Sequence, residues 1–88
     1  MTEIAPERTE AILARGRAFG ESRIICNVHW HSDVVEGRLV GSATVARLHA
    51  GPAFHAELEA AKAELAVVRT KGLKPTRDCQ KEADALLQ

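Results

Sequence analysis

Apolar and polar positions alternate along this chain with a helical period almost throughout. Pro6 suits a first helical turn, and Glu7 beside it suits the positive end of a helix. From there Ile12, Gly16, Phe19 and Arg23 fall at i, i+4, i+7 and i+11, close to one face. A helix that continues past Gly20 puts Arg23 on the apolar stripe, where a charge needs a partner or a ligand. A helix that stops at Gly20 leaves Arg23 in a loop. A second helix is expected from Ser32 or Asp33, both good N-caps, with Glu36 spaced from Asp33 as in a capping box. Val35, Leu39, Ala43 and Ala46 form its stripe, flanked by Val34, Val45 and Leu48, so most of its circumference should be covered. Gly37 and Gly41 leave a smooth strip where another helix could approach, or merely loosen the helix by about 1 kcal/mol each.

Ala50-Gly51-Pro52 interrupts this pattern, and Pro52 opens a third helix. Phe54, Leu58, Ala61, Leu65 and Val68 make its apolar seam, with Glu57, Glu59, Lys62 and Glu64 on a solvated side. Gly72 and Pro75 are stop signals, and Thr76 can cap a short last helix reaching about Leu87. No strand pattern, internal repeat or low-complexity segment interrupts the series. The fold class read from this is all-α, with three to four helices.

The 88 residues allow one small domain, and a chain of this size buries only about 60–65% of its unfolded surface. Formal net charge is zero, which lacks the basic excess of a nucleic-acid footprint and gives no field toward a membrane. No uncharged run, Leu39 to Ala46 included, comes near the roughly 20 apolar residues of a spanning helix. MTEIAPER has no apolar centre and does not read as a secretory signal. Cys26 and Cys79 could close one disulfide, contributing about 4 kcal/mol in the chain-entropy model, or could both stay free.

Candidate chemistry is concentrated in SRIICNVHWHSD, Ser22 to Asp33. An Arg fork matches two anionic oxygens of a phosphate. A His four residues before an Asp can share a helical face with it, and the carboxylate then fixes the ring's tautomer. His31, two residues from His29, should point elsewhere and read as a mouth or surface residue. His49 and His55 flank the Gly-Pro turn and are expected in solvent. Trp30 is expected to pack beside the pocket, and Cys26 to be core rather than catalytic, since nothing nearby supplies a base for a thiolate.

The spacing of Ser22-Arg23, His29 and Asp33 resembles the third signature motif of the type-2 phosphatidate phosphatase superfamily. The flanking text, ESRIICNVHWHSDVVEGRLVGSATVARLHAGPAF, is similar more narrowly to the class A non-specific acid phosphatases, from about Ile4 to at least Ala66. The resemblance implies that Arg23 binds phosphoryl oxygens and that Ser22 supports that site through its hydroxyl or backbone. It implies that His29 attacks phosphorus to form a phosphohistidine and that Asp33 orients His29. The substrate would be a phosphate monoester, with no metal or other cofactor, and the location periplasmic. The family's other motifs, Lys-x6-Arg-Pro and Pro-Ser-Gly-His with its leaving-group acid, do not occur in this chain. Residues 1–88 are therefore expected to be one partial domain, the C-terminal portion of an acid phosphatase, with 73–88 a tail. Such a piece is expected to turn over little substrate alone and, with seams uncovered, to self-associate as a homo-oligomer or dissolve poorly.

Three other readings compete. Cys26, His29, His31 and Asp33 are ligand types that zinc accepts, although C-x2-H-x-H-x-D matches no standard finger spacing. The chain could be a structural helical module with relic site residues. The same motif also resembles the vanadate site of haloperoxidases, where His29 would bind vanadium.

Overall fold

Helix boundaries in the computed structural model, which describes residues 1–87, follow the local chemistry of the chain. A 3-10 turn at Pro6–Arg8 leads into α1, Thr9–Ile25; α2 spans His31–Leu48, α3 Pro52–Thr70 and α4 Cys79–Ala85. The described residues are all-α, without a strand.

Helix α1 runs straight through Gly20 and ends on Asn27, which adopts φ 57°. The N–H of Asn27 reaches Ile24 O at 2.9 Å and that of Val28 reaches Arg23 O at 3.1 Å, the paired bonds of a Schellman motif. Asn tolerates this left-handed conformation better than most residues do. Helix α3 ends in the same way, on Gly72 at φ 66°, with Gly72 N–H to Arg69 O at 3.0 Å and Leu73 N–H to Val68 O at 3.3 Å.

Two expected helix starts shift. Helix α2 begins earlier than Ser32 or Asp33: Trp30 is the cap residue and Asp33 sits at the third helical position. Asp33 Oδ2 accepts the Trp30 backbone N–H at 2.8 Å, the reaching-back half of a capping box. The indole offers no acceptor for the other half. Helix α4 is capped by Asp78 rather than Thr76, because the Asp78 carboxylate accepts from Gln80 N and Lys81 N, both at 3.1 Å.

Helices α1 and α2 meet at Gly20. A Cβ placed there would stand 3.1 Å from both Val34 Cγ1 and Arg38 Nη2, so the missing side chain lets α2 come close. Gly37 and Gly41, by contrast, have no neighbouring atom within 4 Å of where a Cβ would lie, so no helix packs closely against them.

The N-terminal segment docks on the other side. Met1 and Ile4 share a cleft with Ala61, Leu65 and Val68 of the α3 seam, all but Met1 half-buried. Ala5, at 4% exposure, is the one buried residue among those described. Glu3 pairs with His49 Nε2 at 2.8 Å, and Glu7 pairs with Arg69. His49 also lies edge-on to Phe54, with centroids 5.0 Å apart, and its carbonyl accepts from His55 Nε2 at 2.7 Å. The expectation of a solvated His49 is thus corrected, since it is half-buried in this cluster.

The stripe of α2 is largely bare, contrary to the expected coverage: Leu39 is 60% exposed, with Val35, Val45 and Leu48 also exposed, and of the flanking residues Val34 is half-buried. The chain presents 7337 Å² to solvent, against about 5,000 Å² for a folded monomer of its mass. Its radius of gyration is 15.7 Å, where a compact chain of this length has about 12 Å. These helices touch in pairs without enclosing a core. Cys26 and Cys79 are both free and exposed, so Cys26 is not a core residue and the disulfide alternative is not formed. No helix among the described residues is long and apolar enough to cross a membrane.

Candidate functional site

The end of α1 and the start of α2 form one corner, and that corner is built around the Arg23 carbonyl. Besides Val28 N–H it accepts the N–H of His29 at 3.2 Å, so the turn through Asn27 fixes the His29 backbone against the last turn of α1. Two residues later α2 begins, and its first turn brings Asp33 back beneath His29. The imidazole Nδ1 lies 3.3 Å from Asp33 Oδ2, the oxygen that also caps Trp30 N–H. A proton on Nδ1 donates to this carboxylate and leaves Nε2 with a free lone pair. The contact is at the loose end of hydrogen-bond distances and both side chains are about half exposed, so it orients more than it stabilises.

Arg23 is half-buried on the groove side of α1, with its guanidinium over the Phe19 ring at 5.2 Å from the centroid. Its Nε–H donates to Ser22 Oγ at 3.2 Å, and the Ser22 hydroxyl donates in turn to Phe19 O at 2.7 Å. Ser22 therefore steadies Arg23 from the side, and both terminal nitrogens of the fork remain for a ligand.

Arg23, His29 and Asp33 line a single open groove of about 450 Å³ between α1 and α2. Gly16, Phe19 and Gly20 form one wall and Val34, Gly37 and Arg38 the other. Ser22 is not part of its lining. The stripe read from the sequence of α1 is thus the wall of this groove from Gly16 to Arg23, while Ile12 turns toward α4.

Arg38 was not singled out from the sequence. The signal existed: Val34 and Arg38 are four apart on α2, and Gly16 and Gly20 are four apart on α1, so the two pairs can face each other. Of the two glycines on α2, Gly37 borders this groove and Gly41 does not. Trp30 does not pack beside the pocket; the residue is 79% exposed and borders a second, shallow hollow with Asn27, Val28, His29 and Asp33. His31 is exposed at the start of α2. Among the described residues no three His, Cys, Asp or Glu side chains converge as metal ligands, so Cys26, His29, His31 and Asp33 do not form the cluster that a zinc module needs.

An oriented imidazole, a half-buried guanidinium and an open groove suit an anionic ester, and the chain's relatives carry the corresponding name. This chain is similar to acid phosphatases. A non-specific acid phosphatase of Providencia stuartii is 46% identical over 69 residues, 78% of this chain and 28% of its own length. An acid phosphatase of Zymomonas mobilis is 40% identical over 85% of this chain, again 28% of its own length. A non-specific acid phosphatase of Salmonella typhimurium is 46% identical over 74% of this chain and 26% of its own length. The matches thus span about a quarter of the length of these curated relatives. No family model matches the chain, and no solved structure matches it.

Proposed function

We propose that this chain is the part of a phosphomonoester-hydrolysing acid phosphatase that carries the nucleophile. The observation that carries the reading is the shared groove: His29, its Asp33 partner and Arg23 line one space, in a chain 40–46% identical to acid phosphatases. In this reading Arg23 holds two phosphoryl oxygens through its fork. Asp33 accepts the Nδ1 proton of His29, so that Nε2 attacks phosphorus in line with the ester oxygen. The N–P bond forms as the P–O bond breaks, and charge on the equatorial oxygens is met by Arg23. Water then cleaves the phosphohistidine, releasing phosphate and restoring the imidazole. Residues 1–88 act in this reading as one partial domain, the C-terminal portion of the phosphatase fold, and the periplasm is its compartment.

The departing alkoxide needs a proton, and the groove contains no acid placed to give one. The sequence holds neither a Gly-His nor an Arg-Pro pair that could bring the acid and further phosphate cations. Each such group typically contributes about 100-fold or more, so these 88 residues alone should turn over ordinary monoesters negligibly.

An activated ester separates the two steps, because dinitrophenolate leaves without protonation. Mixing the chain with dinitrophenyl phosphate should label His29 with an acid-labile phosphoryl group, seen by mass spectrometry and phosphorus NMR. Phenyl phosphate should give no label, and His29→Ala should give none with either ester. An unlabelled wild-type chain, or a label that survives His29→Ala, would remove His29 from the role of nucleophile. Robust turnover of phenyl phosphate that is lost on His29→Ala would show that the missing acid contributes far less than argued.

A further inference from the structure

Arg38 lines the same groove as Arg23 and His29, and the proposed chemistry makes no use of it. Its Nη2 rests against Gly20, one helical turn before Arg23, at 3.1 Å from where a Cβ would be. The approach depends on Gly20 having no side chain. Neither Arg38 nor Arg23 joins any carboxylate among the ion pairs of the described residues. Several other cations of this chain are also unpaired in that sense, so lack of a partner alone means little. What separates Arg38 is its place. The residue, though exposed, lies along the wall of a groove whose other end carries the imidazole and the arginine proposed to grip the phosphate.

Position along the helices decides which anion it can meet. Arg38 follows Asp33 by five residues, a rise of about 7.5 Å along α2. Gly20 precedes Arg23 by three, about 4.5 Å along α1. Both displacements lead away from the His29 corner, into the part of the groove floored by Gly16 and Gly37, where no atom lies within 4 Å of either absent Cβ. A phosphoryl group on Arg23 beside His29 would leave that stretch for the organic portion of the ester.

We propose that Arg38 is a specificity-determining residue that binds a second oxyanion, carboxylate or phosphate, on the leaving-group side of the substrate. This rests on the reading of Arg23 and His29 as the phosphoryl site. The groove then favours phosphate esters whose organic part carries its own negative charge over neutral alkyl or aryl phosphates.

Non-hydrolysable phosphonates test this without turnover. The 88-residue chain is titrated with methylphosphonate, phosphonopropionate and propane bisphosphonate, following the His29 ring and arginine side-chain signals by NMR. The two-headed ligands should bind about fivefold more tightly than methylphosphonate, the effect of roughly one exposed charge pair. A gain with both assigns Arg38 to any oxyanion, and a gain with the bisphosphonate alone assigns it to a second phosphate. Arg38→Gln should erase the gain, and Arg38→Lys should keep part of it. Arg23→Gln should weaken all three ligands, with helicity checked by circular dichroism throughout. Equal binding of all three by the wild type would overturn the proposal. So would an Arg38→Gln variant that loses methylphosphonate as severely as the two-headed ligands, because Arg38 would then belong to the phosphoryl site. Methylphosphonate binding that is absent, or indifferent to Arg23→Gln, would instead sink the phosphoryl-site reading and the second-anion site with it.

Discussion

His29 Nδ1 lies 3.3 Å from Asp33 Oδ2, and that same oxygen accepts the Trp30 backbone N–H at 2.8 Å. One carboxylate oxygen therefore starts a helix and orients the candidate nucleophile. The two duties separate under substitution. Asp33→Asn keeps an oxygen for the Trp30 N–H but loses the charge that favours a proton on Nδ1. Asp33→Ala loses both, at about 0.5–1.5 kcal/mol for a lost hydrogen bond. Denaturation followed by circular dichroism should show a clear loss for Asp33→Ala and a smaller one for Asp33→Asn. Nitrogen NMR should show a smaller share of the Nδ1-protonated tautomer of His29 in both variants than in the wild type.

Asn27 controls the distance between Arg23 and His29 without being a candidate for chemistry. Its φ of 57° allows Val28 and His29 to reach the Arg23 carbonyl. Asn27→Gly should be neutral or slightly stabilising, since glycine accepts that conformation freely. Asn27→Val should cost about 1–2 kcal/mol and loosen the corner. Methylphosphonate affinity should fall for the valine variant and hold for the glycine variant. Equal loss in both would mean that the Asn27 side chain, not its backbone angle, matters.

Much of this was legible in the sequence, for identifiable reasons. Helix period, Pro52, Gly72 and the Ser22–Asp33 motif are local signals, and each maps onto an element or a corner of the structure. The left-handed Asn27 was less visible because asparagine adopts that conformation only in some contexts. Asp33 was misplaced by three positions within its helix because an acid works equally well as a cap or at the third position reaching back. The α3 seam was read correctly as apolar, yet nothing local said that Met1 and Ile4 would meet it. Arg38 escaped for the same reason. Its meaning depends on Gly20, eighteen residues away on another helix.

Two glycines of α1 should respond oppositely to alanine. Gly16 has open space above it, so Gly16→Ala should gain up to about 1 kcal/mol of helix stability. At Gly20 the added methyl meets Val34 Cγ1 at 3.1 Å, and a β-branched side chain in a helix has little freedom to turn away. Gly20→Ala should therefore forgo the gain and push α2 outward, moving Arg38 from the groove wall. Thermal melts of the two variants, with NMR contacts between α1 and Val34, measure this. A stabilised Gly20→Ala chain with those contacts intact would show that α2 yields without cost.

Glu7 carries a pH dependence whose sign follows from its contacts. A backbone N–H of its own residue and then the Arg69 guanidinium hold its carboxyl below the ordinary value of 4.5. A carboxylate lowered in the folded chain favours folding above its unfolded value, and that contribution disappears as pH falls through the lower folded value. The window accordingly opens near pH 4.5 and lies below it. Because the pair is exposed the effect is small, and salt should screen it. What it holds is specific, since Glu7 ties the N-terminal segment to α3 beside the cleft of Met1 and Ile4. Acid titration should release Met1 and Ile4 from the α3 seam before the α1–α2 corner changes, as read from their NMR shifts. Glu7→Gln should remove that early step and leave the neutral-pH position of the segment slightly less populated. An acid step that persists in Glu7→Gln would show that Glu7 is not its origin.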